Sequence, residues 1–249
     1  MEKESHPVEE RRFQGVLSEE YELFRKVYPH FDLLQCWVGE AVASYPSRHP
    51  GEPIRVLEIG CGTGRTARSL LASRADLVLT SLDNEPAMLE QAEAYLESWT
   101  KSGRVMLVLA DAWHFLREQP EGSWDVVASV LTLHNMDREY RRNLHREIFR
   151  ALVPGGLFIN ADKYVPSEEE RFKLLGTVVG WFFDTLVPLG KWELLRQWIL
   201  HVLADQAPER VMWEKEVVQE LEMLGFVGVR VGPRSGMEAL LCAVKPPGS

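Results

Sequence analysis

Long apolar runs are missing from this chain, and with them any stretch able to cross a membrane as a helix. Cysteine is scarce. Cys36, Cys61 and Cys242 are far apart, odd in number and free of the paired spacings that hold zinc, so neither a disulfide framework nor a metal is expected. Positive charge is also short: 28 Lys and Arg stand against 37 Asp and Glu, a formal net charge of −9. That balance removes the phosphate attraction on which non-specific nucleic-acid binding depends. The opening residues Met1-Glu2-Lys3-Glu4-Ser5-His6 are polar and hold no apolar leader. Together these absences predict a cytoplasmic protein with no DNA and no membrane among its partners.

What the chain does have is core. Hydrophobic residues fill 45% of 249 positions, enough for one large domain or a domain carrying an insertion. The organising stretch is Val56-Leu57-Glu58-Ile59-Gly60-Cys61-Gly62-Thr63-Gly64. Val56, Leu57 and Ile59 form the short apolar run of a strand buried on both faces of a parallel sheet. Three alternating glycines and a helical segment, Arg65 to Leu71, complete the first turn of a nucleotide-binding α/β unit. Glycine suits that turn because the backbone bends tightly and leaves no side chain between itself and a ligand. Cys61 sits within the loop, where a small residue is needed, and reads as packing rather than chemistry. On spacing alone Gly62-x-Gly64-x-x-Ala67 also fits a dinucleotide site.

Downstream, strand and helix alternate in the rhythm of a parallel sheet. The second strand, Leu77 to Leu82, ends at Asp83, where a carboxylate about 20 residues past the glycines accepts ribose hydroxyls. Asn84 and Glu85 lead into a helix with Pro86 in its first turn and Met88 on its buried stripe. Asp111-Ala112-Trp113 follows the third strand, and there Asp111 reads either as a ligand to a cofactor or as the cap of a short helix. The fourth strand begins Trp124-Asp125-Val126-Val127 and leads to His134. Arg138, Arg141, Arg142, Arg146 and Arg150 then mark one polar helix face, read as solvated. Pro154 ends that helix and Gly155-Gly156 makes the next turn.

In order, Glu58-x-Gly60-x-Gly62-x-Gly64, Leu82-Asp83-x-x-Pro86-x-Met88-Leu89, Asp111-Ala112, Trp124-Asp125-Val126-Val127 and Leu152-x-Pro154-Gly155-Gly156-x-Phe158 resemble the landmarks of the class I S-adenosylmethionine-dependent methyltransferases. The resemblance covers residues 54–160 closely and 214–245 in part; residues 1–50 and 163–212 match only in general character. It implies an α/β fold, a doubly wound, mostly parallel seven-stranded sheet with an antiparallel C-terminal hairpin. An N-terminal helical cap over 1–50 would precede a methyltransferase domain over 51–249, interrupted after strand five by a helical insertion over about 163–212. The implied cofactor is S-adenosylmethionine. Its implied contacts are Glu58, Gly60, Cys61, Gly62, Gly64, Asp83, Asn84, Met88, Asp111, Ala112, Trp113, Ser129 and Val130, with Asp111 at the adenine amino group.

The flanking helices carry the substrate question. Ser18 before Glu19-Glu20 reads as a helix start. Tyr28, Phe31 and Trp37 sit at helical spacing and serve either a pocket wall or the core. In the insertion, Ser167-Glu168-Glu169-Glu170 is a capping box. Behind it run two helices rich in Phe and Trp, broken at Pro188-Leu189-Gly190. That aromatic content predicts a flat or apolar small-molecule acceptor, or a homodimer interface. Asp162, Tyr164, Asp184 and His201 are the polar residues of interest there.

The expected reaction is in-line displacement of a methyl group, which needs alignment and exclusion of water more than acid–base help. His134, at the carboxyl edge of strand four, is the candidate general base; its alternative is a local hydrogen bond. The strand-four loop lacks the Asn/Asp-Pro-Pro-Tyr and Pro-Cys pairs of DNA methyltransferases, which favours a small acceptor. Three rivals stand beside this reading: a carboxy-S-adenosylmethionine synthase-like enzyme, a non-catalytic S-adenosylmethionine-binding protein, and an NAD-dependent oxidoreductase, the last disfavoured by Pro154-Gly155-Gly156 and the terminal hairpin.

Overall fold

The β-branched and leucine-rich runs form a single sheet whose centre is β1 (Ile54–Ile59). Around it lie β2 (Leu77–Asp83), β3 (Val105–Leu109), β4 (Trp124–Val130), β5 (Leu152–Lys163), β6 (Val227–Ser235) and β7 (Glu238–Val244), in the order β3-β2-β1-β4-β5-β7-β6. This computed structural model describes residues 12–46 and 51–248; of the charged tail expected over 1–16 only 12–16 fall among them, and loop positions 47–50 lie outside. Every strand is parallel to its neighbours except β7, which runs antiparallel between β5 and β6. A dinucleotide-binding sheet of order 3-2-1-4-5-6 has no such reversed strand between its last two. The fold is therefore the methyltransferase one, as the sequence implied.

Register explains where a ligand goes. Ile59 is opposite Leu82 on one side and Ser129 on the other, so β1, β2 and β4 end level with one another. Chain connections leave β1 toward β2 and β4 in opposite directions, and the crevice between them is the switch point at which open α/β sheets bind ligands. Twelve helical segments cover the sheet among the described residues: α1 (Val16–Glu19), a 3-10 turn (Tyr21–Leu23), α2 (Phe24–Val27), α3 (Phe31–Ala43), α4 (Arg65–Ser73), α5 (Pro86–Tyr95), α6 (Glu97–Lys101), α7 (Ala112–Glu118), α8 (Arg138–Ala151), α9 (Glu168–Leu186), α10 (Trp192–Ala204) and α11 (Glu214–Leu224); a further 3-10 turn spans Leu133–Asn135.

Each face of the sheet has its own core. On one, Leu57, Val127 and Phe158 pack under α7, α8 and α11 through Leu116, Leu144 and Leu221. On the other, Val56, Ala128 and Ala161 pack with the N-terminal helices, α4 and the insertion, through Leu34, Leu70, Phe182 and Trp198. The two segments that the sequence matched least thus share one face, above β4 and β5.

Three local expectations change. Ser18 does not start a helix: Gly15 does, at φ 58°, and the Ser18 hydroxyl donates back to the Gly15 carbonyl. The capping box is half formed, since Ser167 Oγ accepts from the Glu170 N–H at 3.3 Å but its hydroxyl takes up the Glu170 carboxylate. The arginine face of α8 is not simply solvated. Arg138 and Arg142 pair with Glu216 and Glu220 of α11, and Arg141 is buried against the Met136 and Arg210 carbonyls. No described helix is long and apolar enough to cross a membrane.

Phe182 is fully buried; its ring stacks on Trp198 at 5.3 Å and meets Phe24 at 6.2 Å, joining insertion to N-terminal helices. Phe182→Ala leaves a ring-sized void, so unfolding in urea is expected to show a loss of about 3–5 kcal/mol.

Candidate active site

Two adjoining cavities occupy the carboxyl edge of the sheet. The larger is an open cleft of about 820 Å³ counted to its mouth, lined by the glycine loop, the ends of β2 and β4, and the N-terminal segment. Gly60 has φ 73°, and a Cβ there would stand 2.3 Å from the Thr132 side chain; only glycine lets the loop pass between β1 and β4. Asp83 closes the opposite edge. Its Oδ2 accepts from the Gly62 N–H at 2.8 Å and its Oδ1 from the Glu85 N–H at 2.9 Å. Burial raises the Asp83 carboxyl against those donations. The residue clamps the loop that it faces.

Of the residues that the resemblance assigned to the cofactor, Gly60, Cys61, Gly62, Asp83, Asn84, Met88, Ala112 and Val130 line this cleft. Glu58, Gly64, Asp111, Trp113 and Ser129 do not. Gly64, at φ 83°, is the helix cap of α4 packed on Leu96. Asp111 caps α7, accepting from the His114 N–H at 2.9 Å. Trp113 is buried, with Arg117 over its ring at 4.6 Å. Ser129 and Glu58 are wholly buried; Glu58 Oε2 takes the Ser81 hydroxyl at 2.6 Å, while the Ser129 hydroxyl has no partner among the described residues. Arg12, Phe13, Tyr21, Gln35 and Asn135 also line the cleft and were not foreseen. The first four come from segments with no motif to mark them.

The second cavity, about 350 Å³ by the same measure, lies under the insertion. Its walls are aromatic: Phe24, Tyr28, Phe182 and Trp198, with Phe13, Tyr21 and Leu131 shared with the cleft. Phe24 stacks on Trp198 at 4.7 Å and on Tyr28 at 4.9 Å. Leu131, at the junction, is the one non-glycine residue with positive φ (50°) among the described residues. Its N–H is held by the Ala161 carbonyl at 2.9 Å.

His134, Lys163 and His201 form the polar end of this second cavity. His134 Nδ1 donates to Asp162 Oδ1 at 2.6 Å, and Lys163 Nζ lies 3.1 Å from His134 Nε2 and 2.8 Å from Asp205 Oδ2. An ammonium only donates, so Nε2 carries the lone pair and the ring proton faces Asp162. Arg12 reaches in from the N-terminal segment to Asp205 Oδ1 at 2.7 Å and Asn135 Oδ1 at 2.8 Å. Burial alone would raise both carboxyls. Instead, His134 and the Lys163 backbone N–H hold Asp162 below the usual range, and the Lys163 ammonium and the Arg12 guanidinium hold Asp205 far below it. Burial pushes His201 down to about 3, leaving it neutral. His134, His201 and Asp205 each bring a ligand-type atom within 4.8 Å of the others, a grouping that their spacing did not signal. The Lys163 ammonium already supplies the positive charge between two of them.

Tyr28 and Phe31 therefore reach the cavities, Tyr28 the second and Phe31 the cleft, whereas Trp37 packs against the core. Asp162 and His201 belong to the polar cluster. Tyr164 is buried and holds the Asn160 amide at 2.7 Å, and Asp184 is exposed.

Residues 56–156 match the family model described as a methyltransferase domain. A demethylmenaquinone methyltransferase of Leptospira interrogans is 28% identical over 231 residues, spanning 86% of this chain and 88% of that protein. A sterol 24-C-methyltransferase of Aspergillus fumigatus is 34% identical over 179 residues, 65% of this chain and 45% of its own length. Among solved structures, the CurJ carbon methyltransferase superposes with a TM-score of 0.66 at 15% identity; the match covers 93% of this chain and about 60% of that one. These likenesses, together with the sheet order, support a class I S-adenosylmethionine-dependent methyltransferase. The cofactor they indicate is S-adenosylmethionine. The cleft fits it, with Gly60 where a Cβ has no room, the Asp83 carboxylate at its edge and an apolar floor at Met88 and Ala112.

Burial pushes the Glu58 carboxyl up to about 7, against the hydrogen bond from Ser81 and aided by the charge of Asp83. The folded chain thus binds a proton that the unfolded chain, with its ordinary carboxyl near 4.3, releases. Stability should fall as pH rises between those values and level off above them. Thermal or urea unfolding of cofactor-free protein should show the wild type losing roughly 2–3 kcal/mol relative to Glu58→Gln between pH 5 and 8.

Proposed function

We propose that the second cavity holds the methyl acceptor and that this acceptor is a flat, largely apolar ring bearing a hydroxyl. The observation that carries this reading is one aromatic box with a single polar end, sharing Phe13, Tyr21 and Leu131 with the cofactor cleft. Aromatic walls favour stacked or edge-on rings, and a few convergent polar groups set orientation. Trp198 is in keeping with the same class, since its ring lines the cavity and its buried indole N–H has no hydrogen-bond partner among the described residues. The relatives named for demethylmenaquinone and sterol act on polycyclic, mostly apolar molecules, in keeping with such a box.

In this reading Asp83 accepts the cofactor's ribose hydroxyls, the Gly60–Gly64 backbone approaches its methionine part, and Met88 and Ala112 flank its adenine. S-adenosylmethionine supplies a methyl group on a sulfonium, which is electrophilic without further activation. The protein's work is alignment: Leu131 and Tyr21 separate the two cavities and set how closely acceptor and methyl approach. Phe13 and Arg12 cover the junction and exclude water. His134, its tautomer fixed by Asp162, is the basic site of the polar cluster, to which the proton given up by the acceptor is relayed. A separate aromatic cavity argues for a distinct acceptor over an enzyme that modifies the cofactor alone.

The outer face of α9 and α10 exposes Phe172, Phe183, Leu189, Trp192, Leu200 and Leu203, and we assign it to a homodimer. Sedimentation should give a dimer for the wild type and a monomer for Trp192→Glu; a monomeric wild type ends that assignment.

Incubation with S-adenosylmethionine and a panel of phenols, naphthols and hydroquinones should yield products heavier by one CH2 unit, with aliphatic amines and carboxylic acids unreacted. Reaction confined to the latter would overturn the acceptor class. Asp83→Ala should weaken S-adenosylmethionine at least about tenfold in calorimetry, the loss expected for hydrogen bonds to a charged group.

A further inference from the structure

Lys163 occupies an unusual position. It is the last residue of β5, half covered, with its ammonium between His134 Nε2 and Asp205 Oδ2. Those two contacts use two of its three N–H donors. The residue lines the aromatic cavity, so the third donor is the strongest one available to an oxygen bound there. His134, by contrast, has both ring nitrogens engaged, Nδ1 by Asp162 and Nε2 by Lys163. A base whose lone pair is already covered does not meet the acceptor directly.

We propose that Lys163 is the group that touches the acceptor's oxygen and that the acceptor is held there as its oxyanion, a phenolate or the anion of a hydroquinone. This deepens the acceptor reading above and rests on it. Charge supports it. Around Lys163 stand Asp162, Asp205, Arg12, His134, His201 and, from β7, Glu238, which accepts from the Tyr28 hydroxyl. Asp162 and Asp205 are matched by Lys163 and Arg12, burial raises the Glu238 carboxyl toward its neutral form, and neutral His201 adds nothing. The cluster is balanced with one ammonium proton to spare, and a buried oxyanion paired to that proton is better held than a neutral hydroxyl.

The proton step is balanced within the cluster. Lys163 passes a proton to His134 Nε2, which becomes an imidazolium against Asp162. The neutral amine takes the hydroxyl proton of the acceptor, the O–H electron pair staying on oxygen, and Lys163 is again an ammonium, now facing an oxyanion. Attack by that oxygen would form the O–CH3 bond of an ether as the S–CH3 bond of S-adenosylmethionine breaks and S-adenosylhomocysteine leaves, and the His134 imidazolium then releases its proton to water. Lys163 is thus a catalytic residue by contact, and His134 the proton store behind it.

para-Nitrophenol tests this without an acceptor being known, because its ionisation falls near neutrality and its anion absorbs visible light. It is titrated against the full-length protein saturated with S-adenosylhomocysteine, by calorimetry for binding and by absorbance for the ionisation midpoint. The expected result is binding with the midpoint lowered by at least one pH unit. Lys163→Met should return the midpoint to that of free nitrophenol. Lys163→Arg, which keeps the charge, should retain most of the shift, and it serves if the methionine variant does not fold. A bound nitrophenol with an unshifted midpoint, or a full shift surviving in Lys163→Met, overturns the role of Lys163 alone. Absence of binding, or binding that survives the cavity-filling Val202→Phe, instead overturns the assignment of this cavity to the acceptor.

Discussion

Two carboxylates beneath an apolar helical cap, Asp162 and Asp205, constrain the upper half of this molecule. Neither is more than 5% exposed, and a buried carboxylate without a partner costs several kcal/mol. Their counter-charges come from places far apart in the chain: Lys163 from the end of β5, Arg12 from the N-terminal segment, and the His134 proton from the loop after β4. Satisfying them forces three otherwise independent segments to meet at one point. Aromatic packing then closes the cap around that point, through Phe24, Phe182 and Trp198. The polar cluster selects one arrangement of the cap, and stacking supplies the apolar burial that stabilises it.

The same logic explains why the N-terminal segment belongs to both cavities. Arg12 cannot reach Asp205 without carrying Phe13 over the junction, where Phe13 meets Tyr21 at 5.8 Å and His201 at 4.9 Å. Tyr21 in turn stands beside Asp83, whose charge, with burial, raises the phenol. A segment recruited for charge balance therefore also forms the wall between the two cavities. Glu22 adds a second tie, to Thr63 and Arg65 at the start of α4.

The sheet and the cofactor cleft were legible in the sequence because both depend on local signals. Gly60 needs its φ and has no room for a Cβ, and Asp83 follows from a strand length; Pro154-Gly155-Gly156, expected as a turn, instead lies within β5, where the pairing with β4 shifts register. The five assigned residues outside the cleft show the limit of such motifs. Asp111 is drawn to the open N-terminus of α7, and Ser129 points to the sheet face opposite the cavities, positions that a linear pattern does not distinguish from cofactor contact. The second cavity was barely legible. Lys163 and Asp205 are separated by 42 residues, Arg12 and Asp205 by 193, and no period or spacing connects them. Phe182 and Trp198 were visible as helix-stripe aromatics, but stripe position does not tell a cavity wall from solid core. Ser18 misled because its hydroxyl satisfies a carbonyl behind it instead of an N–H ahead.

Leu131 brings these strands of argument together. A branched side chain at positive φ costs roughly 1–3 kcal/mol and persists only when its surroundings over-determine it. Here they do: the Ala161 carbonyl fixes its N–H, and the next residue, Thr132, is locked against Gly60, its hydroxyl donating toward the Gly60 carbonyl at 3.3 Å. The reversed backbone turns the chain from β4 into the short helical turn that presents His134 to Asp162, while leaving the Leu131 side chain in the wall between the two cavities. A relaxed backbone at that position would move His134 and the wall together. Methyl transfer needs both, because the separation of nucleophile and methyl and the path of the proton must be right in the same complex. The strain at Leu131 is the local cost of setting those two geometries with one turn.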